Sequence, residues 1–134
     1  MAKILVVDDD PVMQITIRLL LERAGHSVVV AADGYKGLAA LDTADFNLLM
    51  LDIFMPAMDG LETMRLVHQR QPGLPIIAMS GRPITPDPSA EPDFLAMATR
   101  LGAVRSLPKP FQPAALLAMV ADCLGTAKYH EAGS

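Results

Sequence analysis

Four short, unbroken aliphatic runs, at residues 4–7, 28–31, 48–51 and 76–79, and a weaker fifth at 104–107, alternate with segments of helical period. A run that is apolar at every position has no solvent face, so each reads as a strand buried on both sides. Strands of that kind need helices on both faces of a parallel sheet, because right-handed crossovers place them there. The expected architecture is therefore a single α/β domain with a doubly wound five-stranded parallel sheet. At 134 residues the chain is long enough to bury a real core. With 51% hydrophobic but only 4% aromatic residues, that core is aliphatic.

The helices between the runs carry their own punctuation. Met13, Ile17, Leu20 and Ala24 keep helical spacing, with Asp10 as N-cap, Pro11 at the first helical position and Gly25 as terminator. A second helix is predicted over 35–43. A third is marked by Leu61, Met64 and Val67 and stops before Pro72-Gly73, with Asp59-Gly60 as the turn that leads into it. A fourth carries Phe94, Met97, Ala98 and Leu101, and a fifth runs from Pro113 to Leu124 and ends at Gly125. Residues 126–134 lack periodicity and read as a frayed, flexible tail. The stretch from Gly81 to Asp93 holds four prolines, which fix φ and disfavour helix in the preceding residue, so a stiff, extended loop is expected there.

Composition excludes several classes. Fifteen acidic against eleven basic residues give a net charge of −4, with no run or face of Lys and Arg, which argues against nucleic acid or an anionic membrane as the main partner. The single cysteine, Cys123, can form neither an internal disulfide nor a thiolate metal site; its neighbours Leu116, Leu117, Met119, Val120 and Leu124 mark it as a buried helix position. No stretch approaches the ~18 apolar residues of a membrane span, and Met1 to Val7 is too short for a signal peptide core. The expectation is a soluble cytoplasmic protein.

Charge appears where the strands end. Asp8-Asp9-Asp10 closes the first run and Asp52 the third; Ser80-Gly81 closes the fourth, and Lys109-Pro110-Phe111 follows the fifth. Desolvating a carboxylate costs several kcal/mol, on the order of 3–5 when it is left unpaired, so acids at the tips of buried strands point to a site. In open α/β sheets, ligands bind beyond the carboxyl ends of the strands, where strand order reverses. If the first and third strands are neighbours, Asp8, Asp9 and Asp52 converge, and a hard cation taking oxygen ligands relieves their repulsion. Mg2+ suits two carboxylates plus waters and shares its other positions with phosphate oxygens. Carboxylates, a hydroxyl and an ammonium around one cation are a set for phosphoryl transfer.

The spans Val6-Val7-Asp8-Asp9-Asp10, Leu51-Asp52-Ile53-Phe54-Met55-Pro56-Ala57-Met58-Asp59-Gly60, Met79-Ser80-Gly81 and Lys109-Pro110-Phe111 resemble the receiver domain of two-component response regulators. The resemblance covers roughly residues 3 to 124 and implies a receiver over 1–125 with a flavodoxin-like (βα)5 fold in strand order 2-1-3-4-5, a case the general rule for such sheets already illustrates with a member of this family. It implies that Asp52 is the phosphoacceptor, receiving its phosphoryl group from a sensor histidine kinase or a histidine phosphotransfer protein. Asp9 would ligate Mg2+ directly, Asp8 through water, and the backbone carbonyl of Phe54 would supply another ligand. Ser80 and Lys109 would each engage a phosphoryl oxygen, and the Lys109-Pro110 peptide would be cis.

Each residue also has a plainer reading. Asp8 and Asp10 can cap the first helix, Lys109 alone reads as a surface lysine, and Ser80 as a strand-end hydroxyl. Met55, Met58, Met64 and Met79 read as packing. His26, His68 and His130 lie away from the acidic motifs and are assigned neither phosphodonor nor ligand roles. Three departures from the family pattern stand out. Ser106 occupies a position that is often aromatic, which moves the expected signalling change toward the proline-bearing loop at 82–92 and the fourth predicted helix. Phe54 and Arg82, two residues after Asp52 and Ser80, would hinder the water that hydrolyses phospho-Asp52.

The resulting expectation is a stand-alone receiver, catalysing only its own phosphorylation and dephosphorylation and signalling by binding a downstream target. The start of the chain favours a complete protein, and nothing after Gly125 suffices for a DNA-binding helix-turn-helix. Alternatives are a relay intermediate, a phosphate sink, a scaffold without chemistry, or a Mg2+-dependent phosphohydrolase with an aspartate nucleophile. The last normally needs a second acid two residues on, where this chain has Phe54, and a substrate-enclosing cap.

Overall fold

The structure is a computed structural model that describes residues 2–55, 60–80 and 103–133. Its sheet contains β1 (Lys3–Val7), β2 (Ser27–Ala31), β3 (Leu48–Asp52), β4 (Ile76–Ser80) and β5 (Ala103–Pro108), all parallel, in the order β2-β1-β3-β4-β5. Helices α1 (Pro11–Arg23), α2 (Gly34–Leu41), α3 (Gly60–Arg70) and α4 (Pro113–Gly133) are the described helices. The Gly81–Asp93 loop and the helix predicted around Phe94 to Leu101 lie outside the described residues.

The apolar runs hide a period of two. Leu5, Val7, Leu49, Leu51, Ile76 and Ala78 face α2 and α3, packing with Leu38, Leu41, Met64 and Val67. Their alternates Ile4, Val6, Leu48, Met50, Ile77, Met79 and Leu107 face α1 and α4, packing with Ile17, Leu21, Leu116, Val120 and Cys123. β3 and β4 are buried at every position, whereas the edge strand β2 leaves Ser27 exposed and Val29 and Val30 half-buried. The β4–β5 ladder has one irregularity: Ile76 pairs with Ala103 but Ile77 with Arg105, so β5 carries an extra residue there.

Local signals account for the helix starts. Asp10 caps α1 by accepting from the Val12 N–H at 3.0 Å, with Pro11 in the first turn. Gly25, at φ +94, supplies the left-handed residue that ends the segment. The buried face of α1 is Ile17 and Leu21; Ala24, the last residue of the helical spacing, is the exposed C-cap just past the helix. Along the outer face, Val12, Ile15 and Leu19 are exposed. α2 begins at Gly34 behind the cap Asp33 and stops at Leu41, with Asp42 as C-cap, one residue earlier at the start and two earlier at the end than predicted.

The last helix corrects a larger expectation. α4 does not end at Gly125 but continues to Gly133 through the segment read as a frayed tail. One glycine costs a helix only about 1 kcal/mol, and the residues after it include Ala127, Lys128, Glu131 and Ala132, good helix formers with no proline among them. Among the described residues, no helix is long and apolar enough to cross a membrane.

Two glycines permit close packing at the carboxyl edge of the sheet. A Cβ on Gly37 would meet Val7 Cγ2 at 2.7 Å, so α2 lies directly on the end of β1. A Cβ on Gly60 would meet Ile53 Cα at 2.3 Å and the Asp52 carbonyl oxygen at 2.6 Å. The first residue of α3 therefore rests on the backbone of the third strand's tip.

Candidate phosphoacceptor site

The order β2-β1-β3 puts the reversal of strand order at β1 and β3, as the sequence reading required. Past Val7 the chain carries Asp8, whose N–H still donates to Ala31 of β2 at 3.1 Å before the backbone turns into α1. Asp52 is the last residue of β3, and Ser80 the last of β4. Two bonds prolong the ladders beyond these ends: the Ile53 N–H donates to Met79 at 2.9 Å, and the Lys109 N–H to Ser80 at 2.6 Å. The Lys109-Pro110 peptide is cis.

Asp8, Asp9 and Asp52 each present a carboxylate oxygen within 4.8 Å of the others. Asp8 is fully buried, Asp52 is 5% exposed, and Asp9 is open to solvent. The Lys109 ammonium bridges the two buried acids, 2.6 Å from Asp8 Oδ2 and 3.4 Å from Asp52 Oδ2. Asp8 Oδ1 accepts from the Asp10 N–H at 2.9 Å, and Asp52 Oδ1 from the Phe54 N–H at 3.0 Å. Asp8 thus does not cap α1; Asp10 does, and Asp8 organises the turn before it.

Burial raises the pKa of Asp52 above the usual carboxylate range, and the Asp8 charge adds to this against the opposing pull of Lys109 and the Phe54 N–H. For Lys109, burial alone would lower the pKa, but its contacts with Asp8 and Asp52 outweigh that and raise it. The lysine is therefore a permanent internal cation. One ammonium nevertheless faces three carboxylates, and the donors are all hard oxygens. That set fits Mg2+ and gives no purchase to soft metals. Ser80 is buried, one strand over from Asp52 and one residue beyond Met79, the register partner of Asp52.

Met55, Met64 and Met79 are buried in the two cores, and Met58 and Asp59 lie outside the described residues. Cys123 is buried, and desolvation pushes its thiol pKa up. His26 Nδ1 accepts from the Ala2 N–H at 3.2 Å, far from the acids in the chain; burial and then the N-terminal charge lower its pKa. Arg82 and the side chain of His130 lie outside the described residues.

One neighbour of the site was missed. Gln14 Nε2 donates to the backbone carbonyl of Asp8 at 2.5 Å. Its signal was in the sequence: Gln14 lies one turn after Asp10 and shares the helix side of Ile17 and Leu21, a polar residue at the top of an apolar face.

With this geometry in view, likeness to known proteins is specific. The response regulator receiver domain model matches residues 4–121. Transcriptional regulatory protein FixJ of Bradyrhizobium diazoefficiens is 33% identical over 125 residues, covering 93% of this chain and 58% of the relative. Transcriptional regulatory protein CpxR of Escherichia coli is 35% identical over 131 residues, covering 98% and 53%. The chain thus spans about half the length of these curated relatives. Among solved structures, a CheY-like receiver domain protein from Methanospirillum hungatei superposes with a TM-score of 0.87 at 29% identity, covering 97% of this chain and 98% of that one. Chemotaxis protein CheY4 of Vibrio cholerae gives 0.82 at 31% identity, covering 92% and 99%. Fold, strand-tip acids and sequence agree, and the chain belongs to the response regulator receiver domain family.

Proposed function

We propose that Asp52 accepts a phosphoryl group from a sensor histidine kinase or a histidine phosphotransfer protein in a Mg2+-dependent reaction. The phosphorylated chain then signals by binding a downstream protein, and it catalyses only its own phosphorylation and dephosphorylation. The observation that carries this reading is the Lys109 ammonium 3.4 Å from Asp52 and 2.6 Å from Asp8, beside three carboxylates whose oxygens lie within 4.8 Å. A cytoplasmic setting belongs to the same reading and is supported by the single unpaired cysteine.

In this scheme an Asp52 carboxylate oxygen attacks phosphorus, the P–N bond to the donor imidazole breaks, and the imidazole nitrogen leaves with the bonding pair. A carboxylate whose pKa is raised by burial is the stronger nucleophile once ionised. Asp9, Asp52 and the Phe54 carbonyl would hold Mg2+ directly and Asp8 through water. The metal supplies neutralisation of the charge on the phosphoryl oxygens. Lys109 exchanges one of its two carboxylate contacts for a phosphoryl oxygen, and the Ser80 hydroxyl donates to another.

The test is phosphotransfer from acetyl phosphate and from a panel of phosphorylated histidine kinases, read by intact mass with and without Mg2+. Wild type is expected to gain one phosphoryl group only with the metal, and Asp52→Asn none. Wild type that stays unlabelled by every donor overturns the reading, and turnover of small phosphomonoesters replaces it with the phosphohydrolase. Onward transfer to a second histidine protein in the same assay would mark a relay intermediate, and rapid loss without any phosphorylation-dependent partner a sink.

A further inference from the structure

We propose that Gln14 is a positioning residue for the metal-binding carboxylates, acting through the peptide that joins Asp8 to Asp9; the assignment rests on the phosphoacceptor reading above. The three acids are not held alike. Asp8 and Asp52 are walled in by the fold, but Asp9 is exposed, so its carboxylate is placed by its own backbone. That backbone begins with the Asp8–Asp9 peptide, the first one past the β1 ladder.

Every other polar group of Asp8 is already tied. Its N–H donates to Ala31 at 3.1 Å, Oδ1 accepts from the Asp10 N–H at 2.9 Å, and Oδ2 accepts from Lys109 at 2.6 Å. The remaining group is the carbonyl, which has left the sheet and takes the Gln14 amide instead. With N–H and side chain pinned by the sheet, the loop and the lysine, the carbonyl bond fixes the last rotation, that of the peptide plane leading to Asp9. Gln14 is well suited to do so. It is half-buried on a helix anchored by its own cap, so its amide is offered from a rigid element. A leucine there would pack against the same surface but leave the carbonyl without its donor.

The experiment compares wild type, Gln14→Leu and Gln14→Arg, the last keeping an N–H at that reach. Amide hydrogen exchange of Asp10 is followed by NMR in metal-free protein, and Mg2+ affinity by calorimetry. In Gln14→Leu the Asp10 amide is expected to exchange about fivefold faster and the Mg2+ Kd to rise about fivefold, the scale of one lost hydrogen bond. In Gln14→Arg, exchange is expected to return to within twofold of wild type. Either quantity staying within twofold of wild type in Gln14→Leu overturns the assignment, as does failure of Gln14→Arg to restore exchange. Wild type that binds no Mg2+ overturns the phosphoacceptor reading along with it, which separates the two failures.

Discussion

Asp52 is held in the fold at a cost to stability. Its folded pKa is raised, so it favours the folded state most when protonated: that contribution is fully present below the unfolded pKa near 3.8 and lost as pH rises through the folded value. Asp52→Asn is therefore expected to raise the melting temperature of the metal-free protein at pH 7 by a few degrees, about 1 kcal/mol. The gain should vanish at pH 3, and equal melting temperatures at pH 7 would contradict it. Lys109 works the other way. Lys109→Met leaves two buried carboxylates facing each other and is expected to destabilise the fold by about 2–4 kcal/mol at pH 7 in denaturant melts, with partial recovery on acidification. Phe54 is half-buried against the α2–α3 core, two residues beyond Asp52, and its N–H donates to the Asp52 carboxylate. Phe54→Asn is expected to shorten the lifetime of phospho-Asp52 severalfold in a decay assay, by opening a path for water.

At the level of elements, the two close-packed glycines have different consequences. A side chain at Gly60 strikes the backbone of Asp52 and Ile53, which cannot rotate away, so Gly60→Ala is expected to cost about 2–4 kcal/mol. At Gly37 the obstacle is a Val7 methyl, and the helix gains about 1 kcal/mol of propensity from alanine, so Gly37→Ala should lie within about 1 kcal/mol of wild type by thermal melts. The contrast shows what sequence could and could not tell. Strands were legible because burial on both faces leaves an uninterrupted apolar signature, and each observed strand lies within a residue or so of its predicted run. Asp59-Gly60 was legible as a turn, but the steric demand on Gly60 comes from residues 52 and 53, through space. Gly125 misled because a glycine marks a helix end only when something else, a left-handed φ or a following proline, agrees; at Gly25 it does.

For the whole molecule, the proposed Mg2+ site would tie stability to a cation, because the acids converge on one edge. At ten times its Kd, Mg2+ is expected to stabilise wild type by about 1.4 kcal/mol through mass action, with no such rise in Asp9→Asn, as read by calorimetry. The convergence of Asp8, Asp9 and Asp52 was readable on the condition that the first and third strands are neighbours, and that strand order came from the family resemblance. The double contact of Lys109 was not, because it depends on how far the fifth strand runs and on a peptide geometry that no spacing encodes. On phosphorylation, Ser106 has too small a side chain to refill space by swinging inward. A beryllofluoride titration is accordingly expected to shift amides of the proline-bearing loop more than those of β5.

The supernumerary residue in β5 gives this edge an unequal tolerance to changes in chain length. Removing Val104 would restore a regular ladder while Pro108 stays level with Ser80, leaving the ammonium where it is. Once that surplus is gone, removing a second residue from β5 would draw Lys109 back by roughly one residue rise, ~3.3 Å, about as far as the whole gap that now separates it from Asp52. The first deletion would thus leave the contacts of Lys109 with Asp8 and Asp52 in place, and the second would break them.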